Sequence, residues 1–266
     1  MELNFCSLSS GSSGNCYYLG NEFHGILIDA GIPGTSIRRF LEKMNIPIQT
    51  IRGVLITHEH TDHIRGLELL TRRHTLPVFT TAKIRTSILQ LKKLASSATI
   101  IPIQMKQKFC IAEFDIEAFP VCHDASETIG FHIRSGNKSI TIATDMGHIC
   151  EDSAPYLKAA NILVIESNYD EQMLINGPYP YFLKKRIHSD HGHLGNHQAS
   201  AFLAENINNS LTHIFLAHLS KNNNTPQKAL DTLYKALSDK GIVLNGQQKV
   251  SVLDRDMPGK MIKFCC

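Results

Sequence analysis

The stretch VLITHEHTDHIRG, residues 54–66, brings His58, His60, Asp62 and His63 together directly behind a run of apolar, partly β-branched residues. Imidazole and carboxylate suit a borderline-soft divalent ion such as Zn²⁺, and a catalytic metal site keeps one position open for water. Strand alternation sets His58 and His60 on one side, while Asp62 and His63 fall in the turn that opens a helix. One ion could take His58 and His60, and a second Asp62 and His63. The competing reading, a polar turn whose histidines merely cap a helix, fits four ligand-type residues at this spacing poorly.

Four residues cannot complete two sites, so the missing ligands must come from the ends of other core strands. Three residues fit, each closing an apolar β-type run: His123 after PVC, Asp145 after TIAT, and His218 after IFLA. Asp145, a carboxylate, is the natural group to bridge both ions. Glu59 is left without a metal and is expected to point away.

The elements that must position these groups follow from periodicity. GILIDAG (25–31) and VLIT (54–57) read as core strands, with PVFTT (77–81), FDIEAFPVCH (114–123), TIGFHIRS and KSITIATD further along. Gly136-Asn137 marks a hairpin. SLSSGSSGNC (7–16) reads as a glycine-rich turn between two early strands. Ile37, Phe40, Leu41 and Met44 share a helical face that Thr35 or Ser36 would cap, IRGLELL starts a helix after the histidines, and Ile84, Ile88, Leu91 and Ala95 line another. In the second half, ILVIES and HIFLAH are strands and AFLAENI is helical. Residues 169–195 read as loop-rich, and Thr225-Pro226 opens a last helix that Gly241 ends. Mixed strands with helices outside them imply two sheets packed face to face, an α+β arrangement of αββα layers. No low-complexity linker interrupts the chain, so residues 1–266 read as one domain with similar halves, 1–137 and 138–266.

The pattern resembles the metallo-β-lactamase superfamily: THEHTDH matches its H-x-H-x-D-H signature, with His123, Asp145 and His218 at the later ligand motifs and Asp29 at an early structural aspartate. The resemblance implies the four-layer αββα sandwich. It also implies that His58, His60 and His123 hold one metal, Asp62, His63 and His218 hold the other, and Asp145 bridges. Within the superfamily, SSGSSGNC, LIDAG, SDHGHLGN and LAHLSKNNN resemble the YycJ (WalJ/VicX) branch of bacterial proteins. That resemblance implies a nucleic-acid partner, DNA, and 5′–3′ exonuclease activity. One departure is visible: the branch carries Ser after GHL, where this chain has Gly195. If that hydroxyl touches substrate, the contact is lost or passes to a backbone N–H.

Two divalent ions, Zn or Mn, carry about +4, of which Asp62, Asp145 and a bridging hydroxide remove about three. The remaining positive charge favours an anionic phosphodiester. The expected reaction is hydroxide attack on phosphorus, with Asp62 orienting the nucleophile and His193 contacting phosphate or protonating the leaving oxygen. His191, His193 and Asn222 are the substrate-contact candidates. The basic stretch Lys184, Lys185, Arg186 is either a guide for a nucleic-acid backbone or a solvated face. His148 reads as a surface or supporting group, His132 as an ordinary strand-face histidine, and Cys122 as core. A flavodiiron-type reductase would carry a carboxylate in place of His60, which this chain lacks. A thioesterase or other carbonyl hydrolase is the alternative chemistry, and a non-enzymatic signalling partner comes last.

Bulk properties limit the field. A formal charge of +3 tolerates an anionic substrate without being a nucleic-acid footprint by itself. No apolar run reaches membrane-spanning length, and the opening residues lack the pattern of a signal peptide. Seven scattered cysteines, an odd number, argue against a disulfide framework and for a reduced, cytoplasmic protein.

Overall fold

The computed structural model describes residues 2–91, 94, 98–244, 246 and 248–265; Ala95 lies outside them. The chain opens with β1 (Glu2–Gly11), β2 (Gly14–Gly20) and β3 (Gly25–Ile28), followed by α1 (Gly34–Lys43) and β4 (Ile51–Leu55). Next come α2 (Thr61–Ile64), α3 (Leu67–His74), β5 (Val78–Thr81), α4 (Ala82–Gln90) and β6 (Ile100–Ile103). These strands form one sheet in the order β1-β2-β3-β4-β5-β6, in which β3 to β6 run parallel.

The second sheet contains β7 (Lys108–Ile111), β8 (Phe114–Val121), β9 (Thr128–Ser135), β10 (Lys138–Ala143), β11 (Ile162–Glu166), β12 (His213–Ala217) and β13 (Lys249–Val252). Its order is β13-β12-β11-β10-β9-β8-β7, with β10 to β13 parallel. A last strand, β14 (Ile262–Cys265), returns to pair with β1 in the first sheet. Exchange between sheets therefore falls between Ile103 and Lys108, ahead of the 137/138 division suggested by the sequence. The hairpin at Gly136, whose φ is +60°, joins β9 and β10 within one sheet.

Alternation along the parallel strands builds two apolar layers. On β11, Ile162 and Val164 enter the core between the sheets, while Leu163 and Ile165 face the outer helices. On β12, Phe215 and Ala217 point inward, and Ile214 and Leu216 outward. The outward set packs against Leu157 of α5 (Ala154–Lys158), Leu203 of α8 (Asn196–Asn206) and Leu233 of α9 (Pro226–Asp239). Ile37, Leu67 and Ile84 of α1, α3 and α4 join the larger cluster with the first sheet. Two mixed sheets flanked by helices form the expected α+β sandwich.

Several local expectations need correction. SLSSGSSGNC is mostly strand, because β1 and β2 pair down to Gly11 and Gly14 and leave only Ser12 and Ser13 as the turn. Neither Thr35 nor Ser36 caps α1; Pro33 precedes the helix and no side chain caps it. Leu91 lies beyond the end of α4 and is exposed. The loop-rich stretch 169–195 contains α6 (Glu171–Asn176) and α7 (Tyr181–Ile187), two short helices whose start signals the flanking prolines obscure. Among the described residues no helix is long and apolar enough to cross a membrane.

Candidate metal centre and active site

The parallel strands of both sheets deliver the ionisable groups at their C-terminal ends. Asp29 follows β3, Asp145 follows β10, and His218 follows β12, each with φ between 56° and 58°. Left-handed backbone at a non-glycine residue costs energy and persists where the surroundings enforce it. Here it turns the chain sharply off a buried strand while the side chain stays at the edge between the sheets. Gly31 completes this packing: a Cβ there would sit 1.5 Å from the carbonyl oxygen of Asp62.

Asp29 organises the first two histidines. Its carboxylate accepts the Thr57 backbone N–H at 2.9 Å and the Thr57 hydroxyl at 2.9 Å, and His63 Nδ1–H donates to it at 2.7 Å. Because the Thr57 proton is committed to Asp29, its oxygen is free to accept His58 Nδ1–H at 3.0 Å. The Nε2 lone pair of His58 is thereby left to the site interior, and His63 Nε2, which faces Asp145, accepts Asn15 Nδ2–H at 3.0 Å. His123 Nδ1–H donates to Gly192 O at 2.8 Å and His218 Nδ1–H to Glu166 at 2.7 Å, with the same consequence. Histidine ligands of metals are commonly oriented in this way through their other ring nitrogen.

Donor atoms converge in overlapping sets. Those of His58, His60 and His123 lie within 4.8 Å of one another, as do those of Asp62, His63 and His218. Asp145 stands between them, with Oδ2 at 3.1 Å from His63 Nε2 and Oδ1 at 3.8 Å from His123 Nε2 and 3.5 Å from His218 Nδ1. The Nε2 atoms of His58 and His218 are buried with no hydrogen-bond partner. Two fully buried nitrogens with unmet lone pairs, facing carboxylates, fit divalent cations. All seven residues expected as ligands are thus brought together.

Electrostatics point the same way. Burial alone would lower the pKa of His218, but Asp145 and Glu166 raise it to about 9. Burial also opposes protonation of His63, yet Asp29 and Asp145 hold its pKa well above the ordinary value. Asp145 remains well below the usual carboxylate range despite burial, because His218 and His63 favour its anion. His58, buried and next to His63, is pushed well below the usual histidine value and stays neutral. Asp29, Asp145 and Glu166 thus favour positive charge at His63 and His218, a demand that divalent cations would meet in place of protons, while neutral His58 offers its lone pair directly.

Glu166 was missed by the sequence reading. It closes β11, is fully buried, and joins two histidines: His193 Nδ1–H donates to Oε1 at 2.8 Å, alongside His218. Its Oε2 accepts the backbone N–H groups of Met146 and Leu194. Burial would raise its pKa, but His193 and His218 pull it down to about 2. The signal was present, since ILVIE is another apolar run ending in a carboxylate. His193 lies in the site, its ring centroid 5.1 Å from that of His123 and 5.3 Å from that of His218. With Ser12, Asp124, Asn168, Arg186 and Ser220 it lines a cleft of about 170 Å³.

The remaining candidates are placed as follows. Glu59 turns away, accepting the Ser126 backbone N–H at 2.8 Å. His191 is exposed and is not among the residues lining the cleft. Asn222 is exposed and donates to the hydroxyl of Tyr179, a cleft residue, at 3.1 Å. Gly195 N–H is spent on Gln198 Oε1 at 2.8 Å, and a Cβ at that position would lie 3.0 Å from the Tyr169 ring. The backbone of Gly195 is therefore no substitute for a missing serine hydroxyl. Of the basic stretch, Arg186 pairs with Asp124 beside His123, and Lys184 Nζ donates to Ile175 O. His148 bonds Asp190 O near the surface, and His132 is a buried strand histidine bonded to Thr141. Cys122 is half-buried beside Cys150 rather than core, with burial pushing its thiol up to about 11.

Residues 24–214 match the family model described as the beta-lactamase superfamily domain. This chain belongs to the beta-lactamase superfamily. It is 34% identical to exodeoxyribonuclease YycJ of Bacillus anthracis over 267 residues, covering 98% of this chain and 99% of that protein. It is also 34% identical to exodeoxyribonuclease WalJ of Streptococcus pneumoniae over 234 residues, 87% of each chain. Among solved structures, the metallo-beta-lactamase fold protein YhfI from Bacillus subtilis superposes with a TM-score of 0.74 at 16% identity, covering 99% of this chain and 100% of that one. That likeness shows the fold. Superfamily membership and the donor set together make the chain a metal-dependent hydrolase.

Proposed function

We propose that this hydrolase is a dinuclear phosphodiesterase that degrades DNA from an end, with 5′–3′ polarity and with Zn or Mn as its metals. The observation that carries this reading is the pair of donor sets on either side of Asp145, opening onto a cleft that holds His193 and Arg186. The two relatives named exodeoxyribonucleases support DNA as the substrate. His58, His60 and His123 would hold one ion and Asp62, His63 and His218 the other, with Asp145 shared. When bound, two such ions supply a nucleophile at neutral pH and stabilise both the attacking and leaving oxygens of an in-line displacement.

The chain's own residues do the rest. Asp62, half-buried with Oδ2 at 3.7 Å from His63 Nε2, orients the attacking water. Glu166 accepts His193 Nδ1–H and fixes the ring, so that Nε2 is the nitrogen that passes a proton to the leaving oxygen. Arg186, on the cleft wall, is the cation best placed to meet a non-scissile phosphate, which would compete with Asp124 for it. Tyr179, held by Asn222, lines the same wall.

Purified, metal-loaded protein offered 5′-labelled DNA, bis-p-nitrophenyl phosphate, a thioester and a β-lactam tests this reading. Stepwise release of mononucleotides from the 5′ end and hydrolysis of the small phosphodiester are expected. Thioester turnover without DNA cleavage would replace the nuclease reading with the carbonyl-hydrolase one.

A further inference from the structure

Helix α7 separates two concave surfaces. Leu183, Arg186 and Ile187 face the cleft that contains His193. Residues at the complementary helical spacing, Tyr181, Lys184, Lys185 and His188, face outward onto a groove of about 580 Å³ shared with Leu174 and Ile175. The groove is mostly apolar, and two of its lining residues are unusually exposed, Tyr181 at 81% and Ile175 at 61%, with Phe182, next to Tyr181 in the chain, 73% accessible. Two aromatic rings left in water beside two lysines are unfavourable in a free surface and useful in a binding one. Lys184 is tied to the end of α6 through Ile175 O, which fixes the two helices against each other. Among the described residues Lys185 forms no ion pair, and its charge is available. His188, ring-packed on buried Tyr169 at 5.9 Å, anchors the floor.

We propose that this outer groove is a subsite for single-stranded nucleic acid, in which a base next to the scissile nucleotide stacks on Tyr181, with exposed Phe182 beside it, and the backbone passes Lys185. The inference rests on the phosphodiesterase reading of the adjoining centre and extends it to strand recognition. Continuity selects the occupant: one helix forms the wall of both surfaces, so a strand held outside is a helix-width from the cleft that contains His193. Chemistry selects it too. Stacking faces flanked by cations, without a set of buried hydrogen-bonding groups to read base edges, suit a strand bound independently of sequence.

The test is the affinity of metal-loaded protein for a hydrolysis-resistant, fluorescein-labelled phosphorothioate oligothymidylate, read by fluorescence anisotropy. The variants are Tyr181→Ala/Phe182→Ala and Lys185→Glu, all at exposed positions, with thermal melting as the folding control. The aromatic double variant is expected to raise Kd about tenfold or more. Lys185→Glu is expected to weaken binding less at high salt than at low salt and to flatten the salt dependence by about one counterion. Unchanged affinity in both variants, with a wild type that binds and cleaves DNA, overturns the groove while leaving the nuclease reading intact. A wild type that hydrolyses no phosphodiester overturns the parent reading and the groove with it. Loss of a dimer on sedimentation in the double variant, with strand affinity unchanged, makes the patch a self-interface and also overturns the proposal.

Discussion

The donor cluster and the α6–α7 segment lie within one site region and are built on opposite principles. In the cluster the orienting Nδ1 of five histidines is assigned: Asp29 fixes His63 and Thr57, Thr57 fixes His58, Gly192 fixes His123, and Glu166 fixes His193 and His218. In the α6–α7 segment the rings of Tyr181 and Phe182 stand in solvent. Chemistry that must hold cations at set distances needs rigid, buried support, while a surface for a flexible polymer needs area and charge. Substitutions in the first region should therefore abolish turnover, and those in the second should alter affinity for the strand.

The largest effect is expected at the group that stands between the two donor sets. Asp145→Asn should lower phosphodiester turnover at least about 10³-fold and reduce metal content by mass spectrometry. Turnover within a few-fold of wild type would remove Asp145 from the centre. A smaller effect is expected one bond further out. Asp29→Ala frees the Nδ1–H groups of His63 and, through Thr57, of His58, so competition with a chromogenic chelator should show about 10–100-fold weaker metal binding. Glu166→Gln should retain metal better than Asp29→Ala but lower kcat about 10²-fold or less, because His193 loses the carboxylate that orients it. An unchanged kcat would exclude Glu166 as the group that positions His193.

The smallest effect lies outside both regions. His132, on β9, is lowered to about 4, first by burial and then by Arg134. A histidine depressed in the folded state favours the neutral form, so its contribution to stability is present above its ordinary value near 6.5 and is lost as pH falls through about 4. Wild-type denaturation midpoints should fall across that window, and His132→Gln should fall less. Equal slopes would assign the acid sensitivity to other groups.

How much of this could be read beforehand depended on the same contrast. Asp145 and His218 were legible because each ends an apolar run, and apolar runs mark buried strands whose ends meet. Glu166 satisfies the same rule and was passed over only because ILVIES was read as a strand without asking what its last carboxylate faces. The support given by Thr57 and Gly192 was invisible, since it depends on contacts across long sequence separations. Helices α6 and α7 were hidden for a local reason: each is barely two turns long, and Pro178 and Pro180 between them give the pattern of a loop. Gly195 shows the limit of motif comparison, because a Cβ there would lie 3.0 Å from the Tyr169 ring, and a serine would need that ring to shift by a few tenths of an ångström.

The central claim is that two divalent ions share Asp145. Anomalous diffraction from crystals grown with Mn²⁺ tests it most directly. The account predicts two peaks, one bounded by His58, His60 and His123 and the other by Asp62, His63 and His218, with Asp145 contacting both. A single peak, or a second one lying away from these residues, would contradict it.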